Sequence, residues 1–129
     1  MTGKTDALRE RYERFSTGDL EGALDLWTDD FVWDGGASGL PGSGRHEGKQ
    51  AAIAVLQQLL GSWDKFELGA DEFFEADDTV VVLAHTDLAK GDRSARQLTV
   101  HIWRYRGDQI CSFQFLSDTL EGARILGVV

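Results

Sequence analysis

The sequence predicts an α+β fold in which helices pack on one face of a mostly antiparallel sheet, and three observations lead there. Apolar residues recur at helical spacing in three segments before residue 64. From Phe66 onward the period changes to two. The strand-like runs are separated by turn pairs such as Asp77-Asp78 and Gly107-Asp108, too short to hold a crossover helix, so neighbouring strands run antiparallel.

Each element follows from its own pattern. Residues 6–17 carry Leu8, Tyr12 and Phe15 at i, i+4 and i+7 with charges between them, an amphipathic helix. Gly18 ends it, and Asp19 is a fitting N-cap for a second helix with Leu20, Ala23, Leu24 and Trp27 on one face. Phe31-Val32-Trp33 reads as a short strand. Residues 35–48 hold six glycines and the only proline, Pro41, without periodicity, and are expected to be a loop. A loop of that length is either a lip over a pocket or a plain connection. Its Gly42-x-Gly44 lacks the surroundings of a phosphate loop.

Residues 49–62 give the clearest helix, with Ala52, Val55, Leu56, Leu59 and Leu60 in one core-facing stripe continued by Trp63. Phe66, Leu68 and Ala70 then alternate with polar or small residues, and the phase slips near Asp71–Phe74, the mark of a bulge. The next strand begins at Thr79; its Val80-Val81-Val82-Leu83 run is apolar on both faces, predicting a central strand covered on both sides. Lys90-Gly91-Asp92 turns the chain into a long hairpin, and residues 120–126 form a final short helix or tail.

The hairpin over residues 98–118 carries the functional signal. With Gly107-Asp108 as its loop, His101 faces Gln114, Trp103 faces Ser112 and Thr99 faces Leu116. Thr99, His101, Trp103, Ser112, Gln114, Leu116 and Asp118 then share one face, and Val100, Ile102, Cys111, Phe113 and Phe115 the other. A face mixing an imidazole, an indole, an amide and a carboxylate suits a small-molecule pocket: apolar walls with a few orienting polar groups.

Composition narrows the classes. The chain of 129 residues is read as one domain, 1–129, with 42% hydrophobic and 27% charged residues. Thirteen Lys and Arg against twenty-two Asp and Glu give a net charge of −9, which argues against nucleic-acid binding. Cys111 is the only cysteine, is expected to be a packed thiol, and suits a cytoplasmic setting. The N-terminal residues 1–15 lack the apolar centre of a signal peptide, and no apolar run is long enough to span a membrane. His46, His85 and His101 lack metal-ligand spacing, so neither metal nor cofactor is expected.

Three stretches carry a family resemblance: Phe15…Gly18-Asp19-Leu20…Trp27-Thr28-Asp29-Asp30-Phe31-Val32-Trp33, then Gly48…Ala52-Ile53, then His101-Ile102-Trp103…Gly107-Asp108…Ile110…Asp118. Together they resemble the SnoaL-like branch of the nuclear transport factor 2-like superfamily, which includes ketosteroid isomerases, polyketide cyclases and limonene epoxide hydrolases. The resemblance implies a cone: a strongly curved sheet wrapped around three helices, an apolar pocket inside, and homodimers formed through the outer sheet face. It implies that His101 stands where ketosteroid isomerases place the protonated Asp of their oxyanion hole. The isomerase base falls on Gly35, with Asp34 one residue earlier, and the isomerase tyrosine is offset by about one residue from Tyr12. No Arg-x-Asp pair follows Thr79 on a strand, so an epoxide-hydrolase relay is not implied. Polyketide cyclases pair a His with an Asp; His101 supplies the first, while Gln114 faces it and Asp118 lies two residue pairs away.

The candidate catalytic residues are therefore His101, Asp34 and Asp118, and the candidate pocket residues are Tyr12, Trp33, Phe74, Thr99, Trp103, Gln114 and Leu116. Each has a plainer reading. His101 can be a buried histidine satisfied by a neighbour, Asp118 a helix cap, Asp34 a loop anchor, and the aromatics simple core. His85 is assigned to a dimer surface and His46 to the pocket lip. The expected ligand is a small hydrophobic carbonyl compound, processed by isomerase- or cyclase-type proton transfer or bound without turnover; the further alternative is a dimerisation module of the same fold with a filled core and no ligand.

Overall fold

A computed structural model describes residues 3–129; the first two residues of the N-terminal segment lie outside them. The order of elements is α1 (Lys4–Ser16), α2 (Leu20–Ala23), β1 (Trp27–Asp34), β2 (Arg45–Glu47), α3 (Lys49–Gly61), β3 (Lys65–Ala76), β4 (Thr79–Lys90), β5 (Arg93–Arg106), β6 (Gln109–Ser117) and α4 (Thr119–Leu126). The six strands form one curved sheet in the order β2-β1-β6-β5-β4-β3. Every pairing is antiparallel except β1 with β6. The α+β class and the mostly antiparallel sheet stand as expected, and the final stretch, read as a short helix or tail, is the helix α4 beside the three others.

Two elements differ from the sequence reading. The second helix is a single turn, capped as expected by the Asp19 carboxylate, which accepts from Gly22 N at 2.9 Å. Trp27 leaves that helix and opens β1, because Leu24 N already closes the turn on the carbonyls of Leu20 and Glu21. Within the glycine-rich stretch, Arg45–Glu47 forms a short strand against β1.

The sheet has an inner and an outer face. Val80, Val82, Ala84, Thr86 and Leu88 of β4 are buried on the inner face, and the strand also meets α4. Leu8, Phe31, Ala52, Val55, Leu56, Tyr105 and Ile110 complete the core. Contrary to the expectation from its continuous apolar run, the outer face of β4 is left uncovered by the described residues: Leu83 is 37% exposed. Leu98, Leu116 and Phe74 lie exposed on that same face.

Two bulges decide which side chains look inward. The phase slip read near Asp71 is a register shift between Ala70 and Glu72. Beyond it Phe73 pairs with buried Val82 and faces in, while Phe74 pairs with Val81 and faces out, 54% exposed. Phe74 is thus not a pocket residue. A second shift lies between Arg104 and Tyr105 on β5, opposite Cys111. The turn pairs Arg106 with Gln109 and Tyr105 with Ile110 as expected, but Trp103 then pairs with Phe113 and His101 with Phe115. The extra residue inverts β6 from there on. Phe113, Phe115 and Ser117 join His101 on the inner face; Ser112, Gln114 and Leu116 go to the outer one.

Candidate functional site

The inner face of β5, the helices and the glycine-rich loop enclose a cavity of about 470 Å³. Helix α1 contributes Leu8, Arg11, Tyr12 and Phe15; α3 contributes Leu56 and Leu59; β5 and β6 contribute Gln97, Thr99, His101, Trp103, Phe113, Phe115 and Ser117. The loop contributes Gly35 to Ser38 with Leu40 and Pro41, so it is a lip and not a distant connection. It is tied down at its base. Trp33 Nε1 donates to Gly42 O at 2.8 Å, Gly35 N to Gly44 O at 2.9 Å, and Gly44 N to Gly36 O at 2.7 Å.

Among the described residues no Asp or Glu lines this cavity. The single charged group in its wall, Arg11, is neutralised by Asp25, to which its Nε and Nη2 donate at 2.9 and 3.1 Å. The Asp34 carboxylate instead accepts from Gly36 N at 3.1 Å and anchors the loop. The Asp118 carboxylate accepts from Glu121 N at 3.2 Å and caps α4. Both sequence candidates for proton transfer therefore take their plainer roles. Neither lines the cavity.

His101 is buried at 6% exposure, and its ring is held on several sides. Phe113 meets it edge-on with centroids 5.1 Å apart, and the Tyr12 ring lies parallel to it at 5.8 Å. Tyr12 Oη is 2.5 Å from His101 Nδ1 and accepts a hydrogen bond from Trp103 Nε1 at 2.8 Å. His101 and Trp103 meet Tyr12 because residues two apart on a strand share a face, which α1 packs across. Burial lowers the His101 pKa to about 3, so the imidazole is neutral near pH 7. Burial likewise raises the Tyr12 hydroxyl above the ordinary phenol value, with the Trp103 hydrogen bond opposing, and Tyr12 keeps its proton.

A second polar group runs along the same strand. Ser117 Oγ donates to Thr99 Oγ1 at 2.9 Å, and Thr99 Oγ1 to Leu116 O at 3.2 Å. Thr86 Oγ1 donates to Gln97 Oε1 at 3.2 Å, and Gln97 Nε2 to Asp118 O at 2.7 Å. These groups satisfy one another and leave His101 Nε2 as the imidazole nitrogen with no protein partner among the described residues.

Of the residues chosen from the sequence, Tyr12, Trp33, Thr99, His101 and Trp103 come together in the cavity wall. Leu116 borders it but is 59% exposed. Gln114 pairs with Ile102 on the outer face and accepts from Arg104 Nη1 at 3.5 Å, so it does not face His101. Phe113, Phe115 and Ser117 escaped the sequence reading because of the bulge. Ile110 and Phe113, two large apolar residues three apart in a strand, were the available signal. His85 lies on the outer face, where its Nδ1 is 2.9 Å from Asp71 Oδ2. His46 is held in the loop, its Nε2 3.0 Å from Ser43 O. No group of three or more His, Cys, Asp or Glu side chains arranged to hold a metal occurs among the described residues. None of the described helices is long and apolar enough to cross a membrane.

Comparison with known proteins adds family and fold. A family model described as a SnoaL-like domain matches residues 8–113. An NTF2-like protein of unknown function from Burkholderia pseudomallei has a similar structure, with 29% identity over 98% of each chain and a TM-score of 0.87. TerC, crystallised with polyporic acid, shares 22% identity over 96% of this chain and 98% of its own, with a TM-score of 0.85. IdmH, a putative polyketide cyclase from Streptomyces antibioticus, shares 21% identity over 97% and 99%, with a TM-score of 0.77. A search of curated protein sequences finds no match.

Proposed function

The chain belongs to the SnoaL-like domain family, and from that premise we propose that it binds a small hydrophobic carbonyl compound and polarises the carbonyl through His101. The observation that carries this reading is a neutral, buried imidazole whose Nε2 has no partner among the described residues, in the wall of a largely apolar cavity of about 470 Å³. A carbonyl oxygen there accepts a hydrogen bond from Nε2–H. The bond strengthens as negative charge builds on that oxygen, either when the adjacent carbon loses a proton or when a carbon nucleophile adds. In a largely apolar wall that donor counts for more than it does in bulk water.

The cavity wall limits the chemistry. With no carboxylate in it, the chain supplies charge stabilisation and orientation but no acidic side chain to carry the proton. The substrate is therefore a compound whose carbon acid ionises readily enough for solvent water to take its proton, such as a 1,3-dicarbonyl, undergoing enolisation or ring closure of the isomerase or cyclase type. The same absence favours a second reading, binding without turnover.

One experiment separates them. Calorimetric titration with 2-acetylnaphthalene and with 2-ethylnaphthalene is compared between the native protein and His101→Phe. A lost hydrogen bond of about 1–1.5 kcal/mol weakens the ketone roughly tenfold and leaves the hydrocarbon unchanged. Equal effects on both probes defeat the role given to His101. Catalysed deuterium exchange at the acidic carbon of a bound 1,3-diketone, lost in His101→Phe, supports turnover; intact binding without exchange leaves the binder. The exposed Leu83, Leu98, Leu116 and Phe74 on the outer sheet face are assigned to a homodimer contact.

A further inference from the structure

Three side chains from distant parts of the sequence form a hydrogen-bond chain in the cavity wall, and its first member fixes its direction. An indole nitrogen only donates. Trp103 Nε1 therefore gives its proton to Tyr12 Oη, over 2.8 Å. The Tyr12 hydroxyl has one proton of its own, and among the described residues the only acceptor within hydrogen-bond reach of it is His101 Nδ1. A buried hydroxyl proton left without an acceptor is costly enough to decide between two tautomers of similar intrinsic stability. Were Nδ1 protonated instead, both Trp103 and His101 would point donors at Tyr12 Oη, and the tyrosine proton would turn into an apolar space. The chain thus runs from Trp103 to Tyr12 to Nδ1, leaving the single proton of the neutral imidazole on Nε2.

We propose that Trp103 is the positioning residue that sets the tautomer of His101 and so makes the cavity present a hydrogen-bond donor, not an acceptor, to its ligand. Trp103 need not touch the ligand's oxygen to do this; it acts through Tyr12. The consequence is a filter on ligand chemistry. The atom placed at Nε2 must accept a hydrogen bond, as a ketone, quinone or enolate oxygen does. An amine N–H or an ammonium group there meets a second donor. The inference rests on the reading of His101 as the ligand's polar contact only for that last step, since the tautomer itself is a property of the ligand-free protein.

Nitrogen-15 spectra of the histidine rings, recorded near pH 7 on the ligand-free protein, read the tautomer directly. The expected result for His101 is a protonated Nε2 and an unprotonated Nδ1. In Trp103→Phe, Tyr12 Oη gains a free acceptor site, and the His101 signals should move toward a mixture of the two forms. Tyr12→Phe, which removes the donor to Nδ1 while keeping the ring, should do the same and stands in if Trp103→Phe does not fold. A native protein with the proton on Nδ1 overturns the proposal, as does a folded Trp103→Phe or Tyr12→Phe that keeps pure Nε2–H. The filter is tested separately, by the ratio of affinities for 2-acetylnaphthalene and 2-ethylnaphthalene. That ratio should fall several-fold in Trp103→Phe, and an unchanged ratio defeats the filter. The expected tautomer with no ketone preference in the native protein removes the binding reading and leaves the role of Trp103 intact.

Discussion

His101 carries its proton count as a measurable signature. In the unfolded chain its imidazole takes up a proton near pH 6.5, whereas in the folded protein burial holds the pKa at about 3. Between those values the unfolded state binds more protons, so stability falls as pH falls; above 6.5 the contribution is flat. The loss is on the order of 1–2 kcal/mol between pH 6.5 and pH 5. The groups facing the ring are the Tyr12 hydroxyl, Trp103 and Phe113; the one charged residue in the cavity wall, Arg11, is paired with Asp25. Urea midpoints at pH 7.5, 6 and 5 should converge between the native protein and His101→Phe as pH is lowered, and a constant gap would show that the buried imidazole does not resist protonation. Asp30, Asp87 and Glu75 are held below ordinary carboxylate values by Arg106, Arg96 and Thr5 respectively. Their loss comes at lower pH and is common to both proteins.

At the scale of elements, the local grammar of the chain was readable and its interruptions were not. Residues 6–17, 49–62 and the turn at Gly107-Asp108 lie close to α1, α3 and the β5–β6 turn, because helical spacing and turn chemistry are local properties. The bulge opposite Cys111 is a compromise between distant groups. It lets Ile110 pair with Tyr105 and Phe113 with Trp103, bringing four large side chains to one face, three of them buried and Trp103 partly so. Nothing adjacent to Cys111 announces that need, so simple alternation puts Gln114 inside and Phe113 outside. The relay to Tyr12 spans 89 residues from His101 and 91 from Trp103, beyond the reach of any spacing rule. The lip of the cavity offers a sharp test of its packing. A Cβ on Gly35 would lie 1.8 Å from Gly42 O, the carbonyl that also receives the Trp33 indole proton. Gly35→Ala should cost about 1–3 kcal/mol in chemical denaturation, by forcing the loop off Trp33. Gly3→Ala, with nothing within 4 Å, should cost far less. Similar midpoints for the two variants would mean that the loop is not pinned as described.

For the whole molecule, the exposed side chains of the outer face form an apolar strip across β3 to β6. Leu83, Val100 and Leu116 share one row of the register, with Phe74, Val81 and Ile102 in the next. On an otherwise acidic chain of net charge −9, the homodimer contact proposed above would set apolar groups against apolar groups while the charges stay in water. Light scattering should give twice the chain mass for the native protein and the single mass for Leu98→Lys with Leu116→Lys. A native monomer would leave the strip without its assigned partner. The continuous apolar run in β4 predicted cover on both faces; the chain provides it on one, and the second copy would provide the other.

All four tryptophans of the chain, Trp27, Trp33, Trp63 and Trp103, border the same enclosed space. The consequence is optical. The indole emission of this protein has no source away from the chamber, so a guest that absorbs in that band draws energy from every emitter at once. Occupancy can then be followed without a label, and a library of aromatic compounds can be ranked by quenching alone.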